Sequence, residues 1–289
     1  MANILVVGGA GGVGLALVDK LVARGETVNT TVLNKAEAAR VFERHSNKAQ
    51  VHQVDLSDAD AALIRLREVI SAIGHLDAVA VCAAIAPNGP VEITSLATFR
   101  KMFEVNCLAD VAIYQAAMPA LRKSKGRIVF ISSASGKIGL PFVGAYTASK
   151  FALEGVCDVM RREAADQGVK ISLIEPGGIR TEMLMKQQPV EERLAELGEE
   201  DRARYAHLYH RFNAVIAQTL ETSASTPEQV ADVLIEALDA TDPEPRYAAG
   251  EDAKQMIDMA RTMSDRESDR LYHQMFSAEA SEAIGWAEG

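Results

Sequence analysis

Cysteine is scarce in this 289-residue chain: only Cys82, Cys107 and Cys157 occur. An odd number without metal-ligand spacing argues against a disulfide framework and against a zinc site, so they read as reduced, mostly buried thiols, and no metal is expected. No stretch carries the roughly 18 consecutive apolar residues of a membrane span. The opening run MANILVVGGAGGVG has no basic region and is soon broken by glycines, so it reads as neither signal peptide nor anchor. Basic surplus is missing too. The formal net charge is −10 with no basic stripe, which sets aside nucleic acid and membrane as partners. The expectation is a cytoplasmic protein acting on a small molecule. No linker or repeat is visible, so 1–289 is read as a single domain.

What is present is a hydrophobic fraction of 48%, enough for a sizeable core. Short apolar runs at 3–8, 27–33, 49–56, 76–84, 126–133 and 169–177 read as strands, with a last candidate at 246–249. Helical patterns lie near 58–73, 95–122 and 143–167. Alternation of apolar, non-alternating strands with helices predicts an α/β fold: a doubly wound parallel sheet of about seven strands with helices on both faces. Such a sheet binds ligands outside the carboxyl ends of its strands. The polar, Met- and Glu-rich region 182–222 reads as a helical insert, and 250–289 as C-terminal helices.

Four signals point to that crevice. The loop GGAGGVG holds Gly8, Gly12 and Gly14 between a strand and a helix, a place where the backbone can approach a pyrophosphate. Asp55, at the end of the third strand, can accept from an adenine amino group, unless Ser57 or Asp58 simply caps the next helix. Tyr146 and Lys150 share a helix face at i,i+4. A phenol keeps its proton to about pH 10 in water, and a neighbouring cation stabilises the phenolate, which suits acid–base work on a carbinol or carbonyl oxygen. Alone, the pair reads as a solvated surface pair. Ser133, 13 residues before Tyr146 at a strand end, and Asn106, in a long helix, change that reading.

In this order the motifs resemble the short-chain dehydrogenase/reductase family, Tyr-x-x-x-Lys type, over roughly residues 3–181. GLPFVGAYTASKFALEG and RYAAGEDA are most similar to its hydroxysteroid and retinol dehydrogenase branch. The resemblance implies a Rossmann fold whose cofactor half spans about 1–140. It implies a catalytic tetrad: Tyr146 as proton donor or acceptor, Lys150 tuning it and holding the nicotinamide ribose, Ser133 orienting the substrate oxygen, and Asn106 holding a relay water. It places Gly8, Gly12, Val13 and Gly14 at the pyrophosphate, Asp55 and Leu56 at the adenine, Ala83 and Ala84 beside the cofactor, and Pro176, Gly177, Ile179 and Thr181 at the nicotinamide. Phe142, Met183 and Leu184 suit either an apolar substrate lid or ordinary core packing, and the sequence leaves both open. A homodimer or homotetramer is the expected assembly.

The chain departs from the family in two places. Where Asn-Asn-Ala-Gly is usual, it has VCAA, Val81 to Ala84. At the end of the second strand, Val32 stands where an acidic residue would select NAD, and Leu33 where a basic one would select NADP. Asn34 and Lys35 follow and are within reach of a phosphate, so NADP(H) is favoured over NAD(H). The expected function is oxidoreduction between a secondary alcohol and a ketone of an apolar, bulky substrate. The departures motivate an alternative, a nucleotide-binding regulatory protein with a vestigial site, against which stands the complete tetrad. His207 and His210, i,i+3, lack a third ligand and read as part of a packing face.

Overall fold

A computed structural model describes residues 1–185 and 188–276. Seven strands form one parallel sheet: β1 (Asn3–Val7), β2 (Thr27–Val32), β3 (Ala49–Gln53), β4 (Ala78–Val81), β5 (Arg127–Ile131), β6 (Lys170–Pro176) and β7 (Arg246–Ala249). Their order is β3-β2-β1-β4-β5-β6-β7. The expected Rossmann-type sheet is therefore present, with each strand within a few residues of its sequence-based bounds. Successive β1 side chains enter opposite cores. Leu5 and Val7 join one with Val79, Val81, Ile128 and Phe130. Ile4 and Val6 join the other with Ala78, Ala80 and Val129. Burial on both faces explains why these strands read as unbroken apolar runs.

The helices between strands are α1 (Gly12–Ala23), α2 (Lys35–His45), α3 (Ala59–Ile73), α4 (Leu96–Phe103), α5 (Ala109–Ser124) and α6 (Gly144–Ala164). The expected long helix over 95–122 is divided. A π-helical turn, Glu104–Leu108, separates α4 from α5 and carries Asn106. The insert folds as α7 (Glu182–Met185), α8 (Val190–Ala195) and α9 (Glu199–Thr222). Next comes α10 (Pro227–Asp239), which the sequence reading passed over. Its signals are local: Pro227 at the first turn, and a reciprocal cap between Thr226 and Gln229. Val230 and Leu234 of α10 enter the β1 core. Beyond β7 lie α11 (Glu251–Thr262) and α12 (Asp265–Phe276). The tail expected as helix beyond 276 lies outside the described residues.

Sheet order reverses between β1, which pairs with β2, and β4, which pairs with β5. The crevice outside the carboxyl ends of these strands is the topological switch point. Among the described residues no helix is long and apolar enough to cross a membrane.

Candidate active site

The glycine loop leaves β1 at Gly8, whose φ is +83°, a backbone that side chains rarely adopt. Its amide donates to Thr31 Oγ1 at 3.1 Å, and Gly9 N donates to the Thr31 carbonyl. A Cβ on Gly8 would sit 2.8 Å from that of Ala83, so the VCAA segment presses directly on the loop. A Cβ on Gly14 would collide with the Gly8 carbonyl oxygen. Gly12 lies against Thr181, where an added Cβ would be 2.8 Å from Cγ2. No side chain caps α1, and its first turn holds no acid. The amides of Gly12, Val13 and Gly14 are the helix-end donors that an α-helix leaves without internal acceptors. That is a fit for an anion such as a pyrophosphate. Val13 contributes backbone only, because its side chain is buried in the core.

Tyr146 and Lys150 lie in the first two turns of α6. Lys150 is 1% exposed; its Nζ donates to the Ile131 carbonyl at 2.8 Å and lies 5.9 Å from the centre of the Tyr146 ring. Tyr146 is half-buried. Two residues beyond Ile131, Ser133 caps the short turn Ala134–Gly136, accepting from Ser135 N, and its Oγ reaches the Pro176 carbonyl at 3.5 Å. Asn106 is wholly buried in the π-turn. It accepts from Ile85 N at 2.9 Å and donates to Ile85 O at 2.8 Å and to Ser149 Oγ at 3.2 Å. Ser149 in turn donates to the Tyr146 carbonyl at 2.7 Å. The four residues that sequence order singled out thus meet at the neighbouring ends of β4 and β5.

Below them runs an ion network that sequence reading missed. Glu154 lies one helical turn after Lys150, and Glu175 just before Pro176; both are buried. Lys137 bridges them at 2.5 and 3.2 Å, and Arg246 of β7 does the same at 2.9 and 3.2 Å. Burial and the neighbouring Glu154 push the Glu175 carboxyl up. Asp252 was likewise missed, although it falls within the RYAAGEDA stretch. Its carboxylate accepts from Gly178 N at 2.7 Å and Ala253 N at 2.8 Å. A Cβ on Gly177 would strike it. Asp252 therefore shapes the Pro176–Gly177–Ile179–Thr181 loop.

At the end of β2, Leu33 and Lys35 are exposed, and Asn34 spends its side-chain oxygen capping α2. Glu37 turns back to accept from Leu33 N at 2.8 Å. Arg40, absent from the expected set, reaches from α2 to the glycine loop: Nη1 is 3.3 Å from the Ala10 carbonyl, and Nη2 is 3.9 Å from Glu182. Asp55 lies two residues beyond β3. It is exposed and accepts from Ser57 N at 2.8 Å, the main reason its carboxyl sits below the ordinary range. Asp58 caps α3. Leu56 is buried in the core.

Phe142 takes the core-packing place that the sequence left open beside the lid reading. It is 5% exposed, with φ +78°, and packs edge-on to Tyr209 and stacked on Phe212 at 4.5 and 4.9 Å. Arg193 covers Tyr209 at 4.6 Å and binds the Asn88 carbonyl at 2.6 Å. The ring is therefore part of the packing that holds the insert in place. Met183 is exposed and Leu184 half-buried, on the short helix that follows Thr181. His210 pairs with Glu191 at 3.7 Å. Among the described residues no cluster of three His, Cys, Asp or Glu side chains is arranged to hold a metal.

The family model described as short chain dehydrogenase matches residues 2–192. A 3-amino-tetrahydro-pyrrolizinone reductase of Xenorhabdus hominickii is 28% identical, over 93% of this chain and 94% of its own. The human 17-beta-hydroxysteroid dehydrogenase type 1 is 30% identical, over 84% of this chain and 76% of its own. A short chain dehydrogenase of Burkholderia cenocepacia, solved in complex with NADP, is 18% identical and shares the fold with a TM-score of 0.72, over 96% of this chain and 98% of its own. The chain belongs to the short-chain dehydrogenase/reductase family of oxidoreductases.

Proposed function

We propose that the protein interconverts a secondary alcohol and a ketone, using NADP(H) in preference to NAD(H). The observation that carries this reading is the buried Lys150 ammonium beneath the half-buried Tyr146 ring, with Ser133 at the same strand end. When bound, the nicotinamide supplies or accepts the hydride. Tyr146 gives a proton to the substrate oxygen or takes one from it. Lys150 stabilises the phenolate form electrostatically. Ser133 donates to the same oxygen and orients it. Asn106 has both amide hydrogens engaged, so its side chain braces Ile85 and Ser149. Gly8, Gly12, Val13 and Gly14 would hold the pyrophosphate through backbone amides, with Asp55, Leu56, Ala83 and Ala84 towards the adenine side and Pro176, Gly177, Ile179 and Thr181 at the nicotinamide.

Arg40 beside Ala10, with exposed Lys35 nearby, supports a 2′-phosphate, and the NADP-bound Burkholderia structure agrees. Glu37 stands close but is turned to the backbone. Met183 and Leu184 face an apolar, bulky substrate, a class that the human hydroxysteroid relative supports. Exposed Phe151 and Val159 on α6 support a homo-oligomer. Calorimetric titration with NADPH and with NADH tests the cofactor reading, and tight NADPH binding is expected. Tyr146→Phe is expected to lower turnover by about 10²-fold or more while leaving that binding intact. A Tyr146→Phe variant with wild-type kcat overturns the mechanism. Absence of binding by either nucleotide removes the oxidoreductase reading together with the regulatory alternative.

A further inference from the structure

A cation as deep as Lys150 needs a compensating charge close by. The nearest acid along α6 is already engaged: Glu154 is held by Lys137 and Arg246. The remaining carboxyl is Asp110, in the first turn of α5 and one helical turn after Asn106. It is 2% exposed, and its Oδ1 has no hydrogen-bond partner among the described residues. The groups that feel its charge are Lys150 and Cys157 from α6, which share a helix face at i,i+7, and Cys107 from the π-turn. Burial pushes both thiols up, so they stay neutral. Lys150 is then the one charged side chain of that set facing Asp110.

We propose that Asp110 is a second ionisable group of this site, a buried carboxyl that sets how much of the Lys150 charge acts on Tyr146. Ionised, it offsets the ammonium. Protonated, it leaves the cation undiminished; the proton comes from solvent and returns there. Burial holds the Asp110 carboxyl up at about 7 against the pull of Lys150, so both forms are accessible in the physiological range. Asp110 acts through Lys150 and not on the substrate, so it is a positioning residue. Its catalytic consequence rests on the reading of Tyr146 and Lys150 given above.

The decisive experiment is an infrared titration of the cofactor-free protein, following the carboxylic-acid C=O stretch that Asp110→Asn removes. That band should disappear around pH 7 in the wild type. Lys150→Met should move its midpoint to higher pH, by about tenfold or more in proton concentration. No titrating band, or the same midpoint with and without Lys150, overturns the proposal whatever the enzyme turns over. Asp110→Ser serves as the reference if the Asn variant does not fold. Where turnover is available, kcat of Asp110→Asn for alcohol oxidation, relative to wild type, should be near one below pH 7 and at least about threefold higher above it. A ratio constant with pH shows that Asp110 does not tune the site. Loss of the Tyr146 dependence instead, with the infrared coupling intact, would fault the catalytic reading alone.

Discussion

Asn106 grips the backbone of Ile85 from both sides, its Oδ1 on the amide at 2.9 Å and its Nδ2 on the carbonyl at 2.8 Å. One buried side chain thus stands in for a strand neighbour just beyond β4. It also fixes Ser149, and through it the turn that carries Tyr146. Asn106→Leu removes its two bonds to Ile85 and the one to Ser149, and leaves the partly buried Ile85 groups without them. We expect a loss of about 1–3 kcal/mol in stability, read by thermal unfolding. A fall in kcat larger than any change in cofactor Kd should accompany it, because the brace lies under Tyr146.

Asp110 makes stability depend on pH in the direction opposite to that of an ion-paired carboxylate. Its folded-state value is raised to about 7, so the native chain holds a proton that the unfolded chain releases near pH 4. Stability from this group is therefore full at acid pH and is lost as pH rises through about 7. Relative to Asp110→Asn, the wild type should lose on the order of 3 kcal/mol between pH 4 and 8. Urea unfolding of both proteins across that range measures the difference.

Arg40 reaches the glycine loop from α2, seven residues past Leu33, the position at the end of β2 where a basic residue would select NADP. Arg40→Gln should weaken NADPH by about tenfold, roughly 1.4 kcal/mol, and leave NADH unchanged. Calorimetry with the two nucleotides separates a phosphate contact from general damage to the loop.

Phe142 joins the 139–143 loop to the insert. Phe142→Ala should cost about 3 kcal/mol through the cavity left between Tyr209 and Phe212. Phe142→Gly should cost less than its smaller volume suggests, because glycine relieves the +78° φ. Thermal unfolding of the pair checks the order.

The strands were legible because both faces of the sheet are buried, so β1, β4 and β5 are apolar at successive positions. Asn106, Ser133, Tyr146 and Lys150 could be grouped from their order along the chain, and the fold brings them to neighbouring strand ends. Whether Phe142 packs in the core or lines a lid could not be read from the sequence, for a tertiary reason. A positive φ and two rings more than sixty residues away decide where it points, and neither leaves a local trace. Arg40 escaped because its contact at Ala10 is made across thirty residues. The π-turn at Asn106 could not be told from an α-helix by periodicity, since one extra residue barely disturbs the pattern. By contrast, α10 had readable caps in TPEQ that were passed over.

Asp252 carries a consequence for the order in which the molecule is made. The loop after β6 is held by a hydrogen bond from the Gly178 backbone N–H to a carboxylate synthesised seventy-four residues later. Arg246, which pins Glu175 beside Pro176, is also a late arrival. A ribosome releases the chain from its N-terminus, and the first strands emerge well before either residue. Nascent chains stalled before Arg246 would carry Tyr146, Lys150 and Ser133 on a partly formed sheet with an unanchored loop after β6. Competence is then acquired only once Arg246 and Asp252 have been made, and a fragment arrested earlier is expected to be inert even where its first six strands have formed.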